Sequence, residues 1–469
     1  MNLRRRNLLQ APVGMATGFL ALRNHVLKAE GSRGVASKGY GTPTSDEGKI
    51  LALPPGFTYT QISSRGEKMD DGLHVPGQHD GMGAFPGPDG KVILVRNHEL
   101  NPSHSKWSAF GENRELWPTF DKQLAYDPGD NNQLGGYGGT TTILFNPRTG
   151  KVDKHFLSLA GTEWNCAGGS TPWGSWVSCE ESVATSTGPG GYSRDHGYPF
   201  EVPARIDGRI VSPVPLMAMG RFRREAIAVD PRSGVVYQTE DRHDGLIYRY
   251  IPKNPRKLQE GGKVQALTIR QEKSMDTRNW REKARHNTPK MPISKWLQTG
   301  WVDVEDLHSP DDSLRKQGHD KGAAVFARGE GMWYGNGSVY WACTNGGPFM
   351  KGQVFRYIPS PYEGTLRERA KPGVVQLYIE SHSSKVLENC DNLTVAPWGD
   401  LFICEDNAGS CSIIRVTKNG QISQFAENRY SKSELAGACF SPDGKTLFVN
   451  LQKEGRTLAI NGPWERGNA

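Results

Sequence analysis

The sequence predicts an all-β fold, a six-bladed β-propeller with decorating loop insertions, and two observations carry that prediction. Six stretches each read as a short strand, a glycine turn and a second β-branched or aromatic strand, with polar or acidic residues at both ends. The 469 residues include 56 Gly and 30 Pro and show few long helical periodicities, which favours many short strands over a helical bundle or a doubly wound sheet.

The six units run from His79-Asp80 to Asn97-His98-Glu99 around Gly90, from Cys166 to Glu180-Glu181 around Gly174, and from Glu225 to Glu240-Asp241 around Gly234. They continue from Glu330 to Asn345 around Gly337, from Asp391-Asn392 to Glu405-Asp406 around Gly399, and from Glu434 to Asn450 around Gly444. A hairpin returns to its starting end, so the flanking residues of each unit lie away from its turn. Arranged round an axis, the six sets converge on one mouth. The glycine spacing is too irregular for a WD40 or kelch array but suits blades with insertions of variable length.

The N-terminus places Arg4-Arg5-Arg6 before Leu8-Leu9 and a mildly apolar stretch to about Leu22. That is too short and too rich in Gly and Ala for a membrane span, and the paired arginines resemble a twin-arginine export signal. Residues 1–40 are therefore read as signal peptide and linker, and 41–469 as a single propeller domain. The expected location is periplasmic or secreted, reached through the twin-arginine translocation machinery, with no stable membrane anchor and a monomeric state. A first strand is expected over Phe57 to Ile62. The cluster Gly135-Gly136-Tyr137-Gly138-Gly139-Thr140 lacks the Lys-Ser/Thr of a phosphate loop and reads as a loop or strand entry. An insertion from about Pro252 to Lys321 is dense in charge, with a short helix expected around Thr277 to Ala284. A final strand, Thr457 to Ile460, would close the ring by pairing with N-terminal sequence and so remove free edges.

A net charge of +7 spread among mixed acids and bases is no nucleic-acid footprint, though a mild surplus can attract anionic substrates. The seven cysteines are odd in number and lack the paired spacing of a zinc site. Folding before export means folding under reducing conditions, so a disulfide framework is not expected; Cys404 and Cys411 are placed to pair after export, and the rest read as small buried residues.

The chemistry lies in the hairpin ends. Glu180, Glu181, Glu225, Glu240, Asp241, Glu330, Asp391, Glu405 and Asp406 would bring many negative charges into one channel, and bound cations relieve such repulsion. Any one of them could equally cap a turn. Clustered carboxylates with few histidines suit hard ions, above all Ca2+. Cys166 occupies the hairpin-start position held elsewhere by Glu225, Glu330 and Asp391, and its thiolate would suit a softer or redox-active metal such as iron. Gly-x-Ser-x-Gly is absent, which disfavours serine-hydrolase chemistry.

Longer motifs then carry a resemblance. Gly161-Thr162, Asn165-Cys166-Ala167-Gly168-Gly169-Ser170-Thr171-Pro172-Trp173-Gly174-Ser175-Trp176 and Cys179-Glu180-Glu181 resemble the central motif of the PhoX-type alkaline phosphatase family. So do Gly220-Arg221-Phe222 with Glu225-Ala226, Thr239-Glu240-Asp241, Asp391-Asn392-Leu393 with Pro397-Trp398-Gly399-Asp400-Leu401, Cys404-Glu405-Asp406, and the run from Ala436-Gly437 to Gly462-Pro463-Trp464. The resemblance spans about Leu53 to Trp464 and is to the shorter branch of the family.

It implies a six-bladed propeller with an iron (Fe3+) and calcium (Ca2+) cluster that hydrolyses phosphate monoesters, or diesters, after export. Cys166 would be the iron-binding thiolate. Carboxylate ligands would come from Glu180, Glu181, Glu225, Glu240, Asp241, Glu330, Asp391, Glu405 and Asp406, with one member of each adjacent pair pointing inward. Arg328, two residues before Glu330, resembles a phosphate-contacting arginine. Arg224 stands where many relatives have His, Cys390 where many have Pro, and no equivalent of a substrate-binding lysine of longer members is evident. Two other readings keep the propeller: a calcium-dependent hydrolase of lactones or other esters, and a non-enzymatic exported binding module.

Overall fold

The computed structural model describes residues 39–44, 49–129, 135–188, 191–281 and 291–468. The proposed export signal lies outside these residues. Five antiparallel sheets form an all-β, propeller-like arrangement, with one α-helix, Leu314–Asp320, among the described residues. All six sequence hairpins form. Their turn glycines adopt φ between 70° and 102°, the left-handed region where a Cβ is costly.

The first sheet runs in chain order through His79–Pro86, Val92–His98, Gly138–Asn146 and Lys151–Thr162, so the glycine cluster is a strand entry. The second contains Asn165–Ser170, Ser175–Glu180 and Pro199–Pro203. A nine-stranded sheet begins at Arg224–Val229 and Val236–Glu240 and ends at Ser338–Cys343 and Gly329–Gly335. It is continuous because Leu297–Asp303 pairs both with Gly262–Ile269 and, through Leu297 and Gln298, with Val374–Glu380. The fourth sheet carries Cys390–Val395 and Leu401–Glu405 at one edge and the short Leu51–Ala52 at the other. In the fifth, Leu435–Phe440 and Thr446–Leu451 are followed by Arg456–Asn461, which pairs with Thr58–Ser64. C-terminal sequence thus closes on N-terminal sequence as expected.

The leading strands of the six hairpins pack side by side in a ring, His79–Pro86 touching both Asn165–Ser170 and Leu435–Phe440. Core side chains fill the gaps between sheets. Phe85, Val95, Trp176, Phe200 and Val202 pack between the first two, and Phe402, Phe425, Phe440 and Trp464 between the last two. Each such burial contributes about 1.5–3 kcal/mol.

Two local expectations are corrected. The described part of the segment expected to be helical, 277–281, is not helix, and 282–284 lie outside the described residues. Helix forms instead at Leu314–Asp320, where Ser309 Oγ accepts the N–H groups of Ser313 and Leu314 and so caps the first turn. Cys404 and Cys411 are not bridged; all seven cysteines are free, and six of them are buried.

Candidate metal centre

The hairpin ladders slip at one equivalent place in all six units. At each slip two residues of the leading strand oppose one residue of the outgoing strand: Asp80-Gly81, Cys166-Ala167, Glu225-Ala226, Glu330-Gly331, Asp391-Asn392 and Gly437-Ala438. A bulge re-aims a side chain out of the regular alternation. Here its first position carries four acids, one thiol and one glycine.

These side chains meet. Ligand atoms of Asp80, Glu99 and Cys166 lie within 4.8 Å of one another, as do those of Cys166, Glu181 and Glu225, and those of Glu225, Glu330 and Asp391. The three groups are linked, because Cys166 and Glu225 each belong to two. Glu99 and Glu181 come from another repeated position, the residue just past an outgoing strand. In five hairpins that residue (Glu99, Glu181, Asp241, Thr344, Asp406) donates its N–H to the carbonyl of the residue two before the bulge position: Gln78, Trp164, Arg223, Arg328 and Asn389. Gln78, Trp164, Arg328 and Asn389 have φ of 45°, 49°, 51° and 52°, strain of about 1–2 kcal/mol apiece held at the mouth.

The adjacent acids face opposite ways. Glu180 accepts the N–H groups of Glu163 at 2.9 Å and Gly197 at 2.7 Å and contacts His196 Nδ1 at 2.7 Å. Glu240 accepts from Leu246 N–H at 3.1 Å and Tyr248 O–H at 2.9 Å, and Glu405 from the N–H groups of Glu388 and Ser412. Each of these three fastens the loop that follows its hairpin and stands outside the three groups. Asp241 lies at the mouth, where Arg328 grips it with two parallel bonds of 2.8 and 2.9 Å while its Nη2 stands 3.1 Å from Glu330. Asp406 is among the charges acting on Asp80, Glu99 and Asp391. Asp80 and Glu99, hairpin-end acids of the first unit not counted among the sequence candidates, join the groups, and Glu434 feels the same charges. Their signal was positional equivalence with Glu225 and Glu181.

The electrostatics are those of an anionic site that Arg328 and Arg223 compensate only in part. Burial, then Glu330, Asp391, Glu181 and Asp80, push the Glu225 carboxyl well above its ordinary range. Burial and neighbouring carboxylates do the same to Glu99, Glu181, Glu330 and Asp391, and raise Asp80 to about 7. Burial, Asp80 and Glu225 push the Cys166 thiol up. Glu225 is fully buried, and neither of its carboxylate oxygens has a hydrogen-bond partner among the described residues. An orphaned buried carboxylate costs several kcal/mol unless something meets it, and a cation is what a ring of acids and one thiolate fits.

The departures at Arg224 and Cys390 have local explanations. Arg224 is buried and donates to Gln238 and to the carbonyls of Gly197, Met219 and Gly220, so it pins a loop rather than facing the mouth. Cys390 packs against the carbonyls of Cys343 and Gln353.

Fold and site together define a propeller-like protein built round an anionic mouth. The profile of the family described as alkaline phosphatase PhoX matches residues 38–455. The chain belongs to that family and is a phosphatase. Among solved structures it is similar to Pseudomonas fluorescens PhoX in complex with vanadate, a transition state analogue, at 16% identity, with 92% of this chain and 98% of that one covered and a TM-score of 0.64. More distant likenesses include a gluconolactonase from Xanthomonas campestris (10% identity, 88% and 98% covered, TM-score 0.37) and virginiamycin B lyase from Staphylococcus aureus (10%, 86% and 99%, 0.36). At those scores neither bears on function. No curated protein sequence matches the chain.

Proposed function

We propose that the chain is an exported, metal-dependent phosphatase acting on phosphate esters at the mouth of a six-bladed propeller, the nine-stranded sheet being two blades bridged by Leu297–Asp303. The observation that carries the metal requirement is Glu225, buried with both oxygens unpartnered at the corner shared by two groups of ligand-competent atoms. Glu225, Glu330 and Asp391, an all-oxygen set, suit Ca2+; Cys166 with Glu181 and Glu225, or with Asp80 and Glu99, adds the thiolate that suits iron. Such cations, when bound, neutralise phosphoryl oxygens and acidify water. Arg328, a cation between Asp241 and Glu330, is set to hold phosphoryl oxygens and to stabilise charge in the transition state. The Glu330 carboxylate, followed by Asp241, holds it firmly charged. Glu180, Glu240 and Glu405 then serve the loops behind the mouth rather than the ions. Family membership and the paired N-terminal arginines support export to the periplasm or beyond by the twin-arginine route; no helix among the described residues is long and apolar enough to cross a membrane.

The test is phosphate release from p-nitrophenyl phosphate at alkaline pH, before and after EGTA and after calcium is restored. Activity should vanish with EGTA and return with calcium, and Arg328→Ala should lower turnover with calcium content retained. A folded, metal-replete protein without activity would refute the proposal.

A further inference from the structure

The mouth carries a second arginine. Arg223 stands two residues before Glu225 as Arg328 stands two before Glu330, in the neighbouring hairpin, and each gives its carbonyl to the residue just past its own outgoing strand. The two side chains differ in how they are used. Arg328 is oriented by Asp241 and Glu330 through its Nε and Nη2, whereas Arg223 makes no side-chain hydrogen bond among the described residues, and its buried Nε lacks a partner there. Its nearest anion is Glu181, with Nη1 3.6 Å from Oε1, and its guanidinium stands 5.6 Å over the Trp164 ring. The side chain is 30% exposed, so it reaches solvent. Glu181 lies beside Arg223 and Asp241 is gripped by Arg328, and Asp241 and both arginines are among the charges acting on Glu181, so the two arginine–acid pairs are neighbours.

A partly exposed guanidinium over an aromatic face, with no short bond to its nearest acid and beside a group of ligand-competent atoms, has its outer N–H groups available to an anionic ligand. Resting on the phosphatase reading above, we propose that Arg223 is a second phosphoryl-binding residue and that, with Arg328, it selects dianionic phosphate monoesters over monoanionic diesters. A monoester offers three non-bridging oxygens and two charges, enough for two arginines. A diester offers two such oxygens and one charge, and its second ester group would have to lie against one of the guanidinium groups.

The experiment compares wild type, Arg223→Ala and Arg223→Lys on p-nitrophenyl phosphate and bis(p-nitrophenyl) phosphate, with inorganic phosphate as competitor and calcium content measured on each protein. Loss of a charged hydrogen bond lowers kcat/KM for the monoester by roughly 10-fold to 100-fold, and the loss for the diester should be smaller by about 10-fold. The inhibition constant for phosphate should rise with the monoester loss, Arg223→Lys should fall between, and calcium content should not change. A parallel fall on both substrates, or a fall in calcium content that accounts for the loss, would make Arg223 a support for Glu181 and overturn the inference. If wild type turns over neither ester, the phosphatase reading itself fails, a result distinct from either.

Discussion

Glu225→Gln should have opposite effects with and without calcium. Glu225 lies within 4.8 Å of Glu181, Glu330, Asp391 and Cys166 through the two groups it shares. Two unit charges at that distance repel by about 3.5 kcal/mol at an effective dielectric of about 20. Without cations the carboxyl avoids this by holding its proton, since its folded-state pKa is raised. A raised carboxyl pKa means that the folded protein binds more protons than the unfolded chain above the ordinary value of 4.5, so metal-free stability falls as pH rises from there. The amide cannot ionise. In EGTA the variant should therefore melt higher than wild type, and increasingly so from pH 6 to about 9. In calcium the sign reverses, because the amide forfeits an attraction to a divalent ion at least as large as one pair repulsion, about three-hundredfold or more in calcium affinity. Thermal melts across that pH range, in EGTA and in calcium, read both effects. A variant that melts lower than wild type in EGTA at pH 9, or gains as much from calcium as wild type does, would refute the reasoning.

Two further outcomes follow from the same geometry. Burial pushes the His196 pKa down, but the Glu180 carboxylate and the hydrogen bond to Asp127 outweigh it and hold it at about 10; the resulting stabilisation is complete below about 6.5 and is lost as pH climbs to about 10. His196→Gln should cost about 3–5 kcal/mol at pH 6 and progressively less at pH 8 and 10 in denaturant titrations, and a pH-independent cost would contradict the ion-pair account. Gly437 has φ of 63°, and a Cβ there would sit 2.3 Å from the Asp80 carbonyl oxygen, whereas one at Gly174, φ 86°, meets open space. Gly174→Ala should thus cost only the backbone term of about 1–2 kcal/mol, while Gly437→Ala should cost visibly more and weaken calcium binding by displacing Asp80. Equal melting temperatures for the two variants would dismiss the contact as unimportant.

Much of this architecture was legible in the sequence because hairpins announce themselves locally. Turn glycines at positive φ and β-branched partners need no long-range information, and all six formed where the pattern put them. The direction of individual acids was less legible. Simple alternation separates Glu180 from Glu181 but cannot say which faces the mouth, since that depends on which face of the outgoing strand meets the following loop, a contact made only in the folded chain. Asp80 and Glu99 were visible as hairpin ends yet become neighbours of Cys166 only once the first two units pack side by side. The helix at Leu314–Asp320 depends on capping by Ser309, a short-range signal hidden among charges of the insertion. Arg223 could have been found by the spacing argument that singles out Arg328; its two arginine neighbours Arg221 and Arg224 are buried and hydrogen-bonded to loop carbonyls, and only contacts tell the three apart.

Asp80 ties the centre to the closure of the ring. Asn450 donates to its carbonyl, Gln452 to its carboxylate, and the strand Arg456–Asn461 immediately beyond pairs with Thr58–Ser64. The first of the grouped acids to leave the ribosome is thus oriented by some of the last residues to follow it. During synthesis the unfinished chain carries Asp80 without the Asn450 and Gln452 contacts that orient it toward Glu99 and Cys166, so the group of these three is set only when the final hairpin is in place. Under the proposed metal dependence, a ribosome-stalled chain ending before Leu435 should bind calcium more weakly than the full chain, because the group built on Asp80 is not yet held.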